Sequence, residues 1–292
     1  MNSRSLDQES SIITYDLKAH ARRFLISNPR TMNPTRTWNT KAFIRNGWHV
    51  ALVSLSMDVF GKGFMAYMLG DDRNFKIIRV DGLEEEDSLA GYFTGFERVQ
   101  HERQAMDYVK GRVLDIGCGA GRVALWLQLR GFEVMGIDVS ATAIEVCRLR
   151  GLRNCLVMPV EKLNFPAASF DTVLAMGNNL GLAGTVPGTI ELLRKLHVMT
   201  TREGRIIGSG RDPSKTDNPA HLAYHELNRK AGKPIGQVRL QVRFGEEASD
   251  WFNLLLVSIP EVDEIAKNAG WKLERNFEGE NGTYAVVLTK MS

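Results

Sequence analysis

Residues 112–121 read Arg-Val-Leu-Asp-Ile-Gly-Cys-Gly-Ala-Gly, and Asp138 closes the next apolar run. No other stretch restricts the fold as much. Val113, Leu114 and Ile116 form a short apolar, partly β-branched run, the pattern of a buried strand. It leads straight into Gly117, Gly119 and Gly121. Glycine lets the backbone turn sharply and lets a ligand come close, because no Cβ intervenes. Val123, Ala124, Leu125, Leu127 and Leu129 then carry a helix, and residues 133–137 read as a second strand that delivers Asp138. An acid about 20 residues beyond such a turn accepts hydrogen bonds from two ribose hydroxyls. The pairing predicts a site for an adenosine-like nucleoside.

The glycine spacing narrows the nucleoside. A dinucleotide fingerprint is Gly-x-Gly-x-x-Gly, and here its third glycine is replaced by Arg122. The spacing present is Gly-x-Gly-x-Gly, preceded by Asp115. This resembles motif I of the class I S-adenosylmethionine-dependent methyltransferases, and Val-Met-Gly-Ile-Asp ending at Asp138 resembles their acidic motif II. The resemblance spans residues 90–210 in order and spacing, with a closing segment to 290. It implies a Rossmann-like α/β fold, a seven-stranded mostly parallel sheet with helices on both faces. It also implies S-adenosyl-L-methionine as cofactor. Carried over residue by residue, it places Asp115, Gly117, Cys118, Gly119, Gly121, Asp138, Val139, Val160, Glu161, Met176, Gly177 and Asn178 at the cofactor.

Length and charge set the frame. At 292 residues, 43% hydrophobic and 24% charged, the chain is long enough for one large domain with a sizeable core. Cys118, Cys147 and Cys155 show no Cys-x-x-Cys spacing. They suggest neither a disulfide framework nor a zinc site, and they suit a reducing, cytoplasmic compartment. No apolar stretch approaches the roughly 18 residues of a membrane span. Of the net charge of +3, residues 1–56 hold eight Lys/Arg against three Asp/Glu, so the remainder carries a net −2. A nucleic-acid enzyme more often shows a basic stripe over its functional domain, which argues against a nucleic-acid acceptor. Residues 1–56 lack periodicity and read as a weakly ordered basic extension, with the methyltransferase domain over 57–292.

The rest of the chain alternates strands and helices. Residues 75–80 read as a short strand, and the acidic run 84–87 as a solvated face. Tyr92, Phe93, Phe96, Val99, Met106 and Val109 sit near helical spacing, with Tyr92 and Phe96 candidates to pack over the cofactor. Strands are expected at 154–160, 170–176, 205–209, 271–277 and 283–289. Helices are expected at 186–199 and from Pro260, where Ser258 and Glu261 stand at capping-box spacing. Such open sheets bind ligands beyond the carboxyl ends of their strands. Residues 210–257 read as an acceptor-side insertion, with a short helix over 221–229 and a hairpin of 237–244 with 251–257.

The same segments supply candidates for chemistry. The fourth strand ends in Gly177-Asn178-Asn179-Leu180 rather than the Asn/Asp-Pro-Pro-aromatic motif of DNA adenine and protein glutamine methyltransferases. No cysteine lies there for RNA cytosine C5 chemistry. The run is similar to the Gly-Asn-Ser of some small-molecule N-methyltransferases. His221 and His225, four apart, share a helix face with Tyr224 nearby; these three are the catalytic candidates. Without a third evident ligand the two histidines suggest no metal. Asn179, Arg211 and Trp251 are candidates for substrate contact, and Arg239 and Arg243 for an acidic group. The expected activity is methyl transfer to nitrogen or oxygen of a small-molecule acceptor. The alternatives are an RNA or protein methyltransferase, or an inactive cofactor-binding regulatory subunit.

Overall fold

The computed structural model describes residues 58–95 and 99–291. The expectations for residues 1–56 and for Phe96 lie outside the described residues. A seven-stranded sheet forms the centre. It is built from β3 (Arg112–Ile116), β4 (Glu133–Asp138), β5 (Cys155–Val157), β6 (Phe170–Ala175), β7 (Thr200–Arg211), β11 (Trp271–Glu278) and β12 (Thr283–Lys290). Their order is β11-β12-β7-β6-β3-β4-β5. The pairs β3–β4, β3–β6, β4–β5 and β6–β7 are parallel, and β12 runs antiparallel between β7 and β11. The alternation of strands and helices foretold this architecture, and the inner strands are apolar because both their faces are covered.

The helices carry their own stop and start signals. In α4 (Ala141–Leu149), the Ser140 hydroxyl accepts from the Ala143 N–H at 3.0 Å. In α5 (Val186–Met199), Thr185 accepts from Gly188, and a proline sits in the first turn. In α7 (Ile259–Lys267), Ser258 and Glu261 form the reciprocal capping box expected from their spacing. These helices, with α3 (Arg122–Leu129), pack apolar faces on the sheet. Trp271, fully buried, also donates its indole N–H to the Leu193 carbonyl at 3.0 Å. The three cysteines are buried and free.

A second sheet departs from the sequence reading. The acidic run Glu84–Asp87 is a strand, β2, antiparallel to β1 (Phe75–Arg79). β1 pairs in turn with β8 (Gln237–Phe244), which pairs with β10 (Phe252–Leu255) and the short β9 (Glu247–Ala248). The expected hairpin is present as β8 with β10. It completes a five-stranded sheet with strands from before the glycine turn. The 89–109 region is likewise not one helix but short turns and α2 (Gln100–Ala105). Phe75 and Phe244 anchor the second sheet on Phe64 of α1 (Val59–Met68), with Phe75 ring centroids 5.8 Å from both. α1 in turn lies against the start of α4, so close that a Cβ on Gly61 would meet Ser140 Oγ at 2.2 Å.

Candidate functional site

Between the two sheets lies a cavity of about 860 Å³. That is toward the upper end of small-molecule sites. Its floor is the rim where β3, β4, β5, β6 and β7 end, as the parallel topology requires. Gly117, Cys118 and Gly119 enter it after β3, Asp138 and Val139 after β4, and Val160 and Glu161 after β5. Met176, Gly177, Asn178 and Asn179 enter it after β6, and Arg211 at the end of β7. Asp115 also reaches the wall. Gly121 does not; with φ +80° it caps α3, where a side chain would press on Cys147 and Leu125.

The glycine turn is held from below. The Asn179 side-chain amide donates to the carbonyls of Ile116 (2.9 Å) and Gly117 (3.0 Å). It crosses so near that a Cβ on Gly117 would lie 2.5 Å from it. Its N–H groups are thereby occupied, so Asn179 braces the turn. Asn178 does similar work, its Oδ1 accepting the Arg211 N–H at 2.9 Å. Gly177, at φ +64°, faces open space where any side chain would intrude on the cavity.

Asp138 is the anionic centre of the floor. Its carboxylate accepts the N–H groups of Gly119 and Ser140, each at 2.9 Å. A carboxylate offers about four lone-pair sites, so acceptor capacity remains for a ligand hydroxyl. Burial raises its pKa, against the backbone N–H groups of Ser140, Gly119 and Val139. Burial also pushes the Asp115 carboxyl up to about 7, with Arg122 opposing and Asp138 adding to the shift. Arg122 itself donates to the buried Glu102 at 2.9 Å. Glu102 also accepts from the Ser209 hydroxyl, which accepts the Gly177 N–H. This chain of bonds ties the ends of β6 and β7 to α2 and α3. Phe64 and Tyr92 cover Gly119, and the Tyr92 hydroxyl donates to Asp87 at 2.6 Å.

The roof is one face of the five-stranded sheet, selected by its period of two. Ile77 and Arg79 on β1, Glu85 and Asp87 on β2, Val238, Leu240 and Val242 on β8, and Phe252 and Leu254 on β10 all line the cavity. Arg239 and Arg243 point to the opposite face, so the anion role considered for them does not hold. Trp251 also proves misplaced as a substrate contact. It is 38% exposed in the loop before β10 and no part of the wall.

A helix, α6 (Pro219–Lys230), closes the side. It brings His221, Tyr224 and His225 to the cavity, as their shared face predicted. Arg79 fastens it. The guanidinium binds Asp81 through two bonds of 2.7 and 2.8 Å, donates to the Ala220 carbonyl at 2.9 Å, and lies over the Tyr224 ring. His221 is engaged at both nitrogens, by Thr216 Oγ1 at 3.1 Å and Glu85 at 3.4 Å. Among the described residues no group of three His, Cys, Asp or Glu side chains is placed to hold a metal, and no helix is long and apolar enough to cross a membrane. Arg79, Glu85 and Asp87 escaped the sequence reading. The only local sign was an arginine at an inward position of an alternating strand.

Comparison with known proteins agrees with this geometry. Residues 113–204 match the family model described as "Methyltransferase domain". A 46-residue stretch, 16% of this chain and 14% of that protein, is 53% identical to "Ribosomal RNA small subunit methyltransferase C" of Alcanivorax borkumensis. A 56-residue stretch, 19% of this chain and 23% of that protein, is 43% identical to "Ubiquinone biosynthesis O-methyltransferase" of Alkalilimnicola ehrlichii. The chain thus spans less than a quarter of the length of either relative. In structure it is similar to a SAM-dependent methyltransferase from Bacteroides fragilis, solved in complex with S-adenosyl-L-homocysteine. The TM-score is 0.70 over 83% of this chain and 98% of that one, at 24% identity. At that identity the likeness is one of fold.

Proposed function

We propose that this chain, whose residues 113–204 match a methyltransferase domain, is a class I S-adenosylmethionine-dependent enzyme that methylates oxygen or nitrogen of a small-molecule acceptor. The cofactor is S-adenosylmethionine, and the floor of the cavity fits it. Asp138 would take the ribose hydroxyls on its remaining acceptor capacity, the 117–119 turn would lie along the amino-acid portion, and Val160 and Glu161 would flank the base. When bound, this cofactor supplies a methyl group already activated on a sulfonium. What remains for the protein is to align an acceptor and keep water out.

The observation that carries the small-molecule reading is the enclosure. The space beyond the floor is roofed by a sheet face that is apolar on β8 and at Phe252 and Leu254 and charged at Arg79, Glu85 and Asp87, and it is walled by α6. An RNA or protein acceptor calls for an open, charged surface. The identity to a ribosomal RNA enzyme is confined to 46 residues, 16% of this chain. In this reading the α6 residues His221, Tyr224 and His225 face the acceptor.

The test is transfer of labelled methyl groups from S-adenosylmethionine to a panel of apolar hydroxyl and amine compounds, ribosomal RNA and mixed protein. Turnover confined to small compounds is expected. Turnover on RNA or protein alone would overturn the reading, and cofactor binding with no turnover would favour a regulatory subunit.

A further inference from the structure

His225 differs from the other polar groups around it. It is 6% exposed and lines the cavity, yet it makes no hydrogen bond among the described residues. Its neighbours are engaged: His221 by Thr216 and Glu85, Arg79 by Asp81 and Ala220, and Asn228 by the carbonyls of Ile235 and Gln237. No described group thus occupies its ring nitrogens, which leaves them for a ligand in the cavity.

We propose that His225 is the proton acceptor of this site, and that the acceptor is a largely apolar molecule carrying a weakly acidic ring hydroxyl. The proposal rests on the small-molecule reading and deepens it. Burial lowers the imidazole pKa, and Arg229 and His221 on the same helix, with Arg79 on β1, lower it further. The ring is therefore neutral at neutral pH, the state that takes a proton. The apolar body follows from the roof, where Ile77, Val238, Leu240, Phe252 and Leu254 present hydrocarbon, while the charged Arg79, Glu85 and Asp87 are already engaged by Asp81, His221 and Tyr92.

The acidity of the hydroxyl follows from matching. A carboxylic acid arrives ionised and needs no base, and an amine attacks through its own free pair. A phenolic hydroxyl ionises near 10, within about four units of an imidazole, so proton transfer during attack is efficient. In the step, the acceptor oxygen bonds to the methyl carbon as the carbon–sulfur bond breaks. The pair of electrons stays on sulfur, leaving a neutral thioether, and the hydroxyl proton passes to His225 and then to water.

The experiment compares wild type, His225→Gln and His221→Gln on phenol and 4-nitrophenol, which differ in acidity. We expect His225→Gln to lose about 10²–10⁴ in turnover of phenol and much less with 4-nitrophenol, which arrives partly ionised. His221→Gln should lose the same factor on both, as a positioning residue would. A second readout needs no cofactor: 4-nitrophenol titrated into the protein should show a stronger phenolate absorbance with wild type than with His225→Gln. Equal losses on both phenols, or identical absorbance with both proteins, would overturn the assignment to His225. Turnover of amines with none of ring hydroxyls would overturn the acceptor class and leave the small-molecule reading standing. Absence of turnover on every small compound would sink that reading, while the absorbance titration still tests His225.

Discussion

At the scale of single residues, two aspartates twenty-three positions apart on neighbouring strands do opposite things with the same desolvation. Asp138 is given backbone N–H donors and keeps lone pairs for a diol. Charge-assisted hydrogen bonds of that kind are worth roughly 1.5–3 kcal/mol. Asp138→Ala should therefore weaken S-adenosylmethionine binding by about tenfold to a hundredfold. Calorimetric titration of the folded variant checks this, and unchanged affinity would remove Asp138 from the cofactor site. Asp115, its pKa pushed up to about 7 by burial, has only Arg122 and the Ala124 N–H to oppose that shift. Between the unfolded value of 3.8 and about 7 the folded state binds the extra proton. Stability from this group is thus fully present below about 4 and declines as pH rises to about 7. Asp115→Asn should flatten that slope. Urea midpoints at pH 5 and pH 8 should lie closer together in the variant than in wild type. Asp138 and Asp115 were both legible as motif positions. Asn179 reaches the cavity as expected, but its bracing of the turn was not legible, because a turn sequence does not show that its amide N–H groups fold back onto Ile116 and Gly117.

At the scale of elements, legibility followed the range of the interaction. α7 was readable because Ser258, Pro260 and Glu261 decide its start within four residues. Ser258→Ala should cost about 1 kcal/mol, or a few degrees in melting temperature for a domain this size, with cofactor affinity unchanged. β2 was not readable as a strand. Its partners are β1, ten residues away, and through it β8, some 160 residues away, and nothing in Glu84–Asp87 announces that pairing. The position of α6 was equally hidden, since it depends on Arg79. That guanidinium joins Asp81, Ala220 and Tyr224, and so holds β1 against the helix that carries both histidines. Arg79→Met keeps the stem and removes the fork. We expect turnover to fall at least tenfold while S-adenosylmethionine affinity stays within about twofold, because the helix loosens and the floor does not. A parallel loss of cofactor affinity would mean that α6 and the floor move as one unit.

At the scale of the whole molecule, the question is which part of the chain the site needs. Every described residue lining the cavity lies between Phe60 and Leu256. The first described residue, Asp58, already has a fixed task. Its carboxylate accepts from the Ser140 hydroxyl at 2.7 Å and from the Thr142 N–H at 2.9 Å and hydroxyl at 2.7 Å. It thereby reinforces the N-terminus of α4, the helix that follows Asp138, and brings α1 against it. α1 in turn anchors the roof through Phe64, Phe75 and Phe244. Among the described residues, the floor, the roof and the helix between them are therefore linked by contacts that begin at Asp58. A chain beginning at Met57 should bind S-adenosylmethionine as tightly as the full chain and melt within a few degrees of it. The same truncation with Asp58→Ala should melt lower and bind more weakly, since the start of α4 sits beside the ribose site. Calorimetric titration and thermal melts of the three proteins decide it. A large loss of affinity on removing residues 1–56 alone would make that segment a lid on the cavity. Salt-sensitive RNA binding that disappears with the truncation would make it a basic arm. Either outcome would replace the view that the site is complete from Asp58 onward.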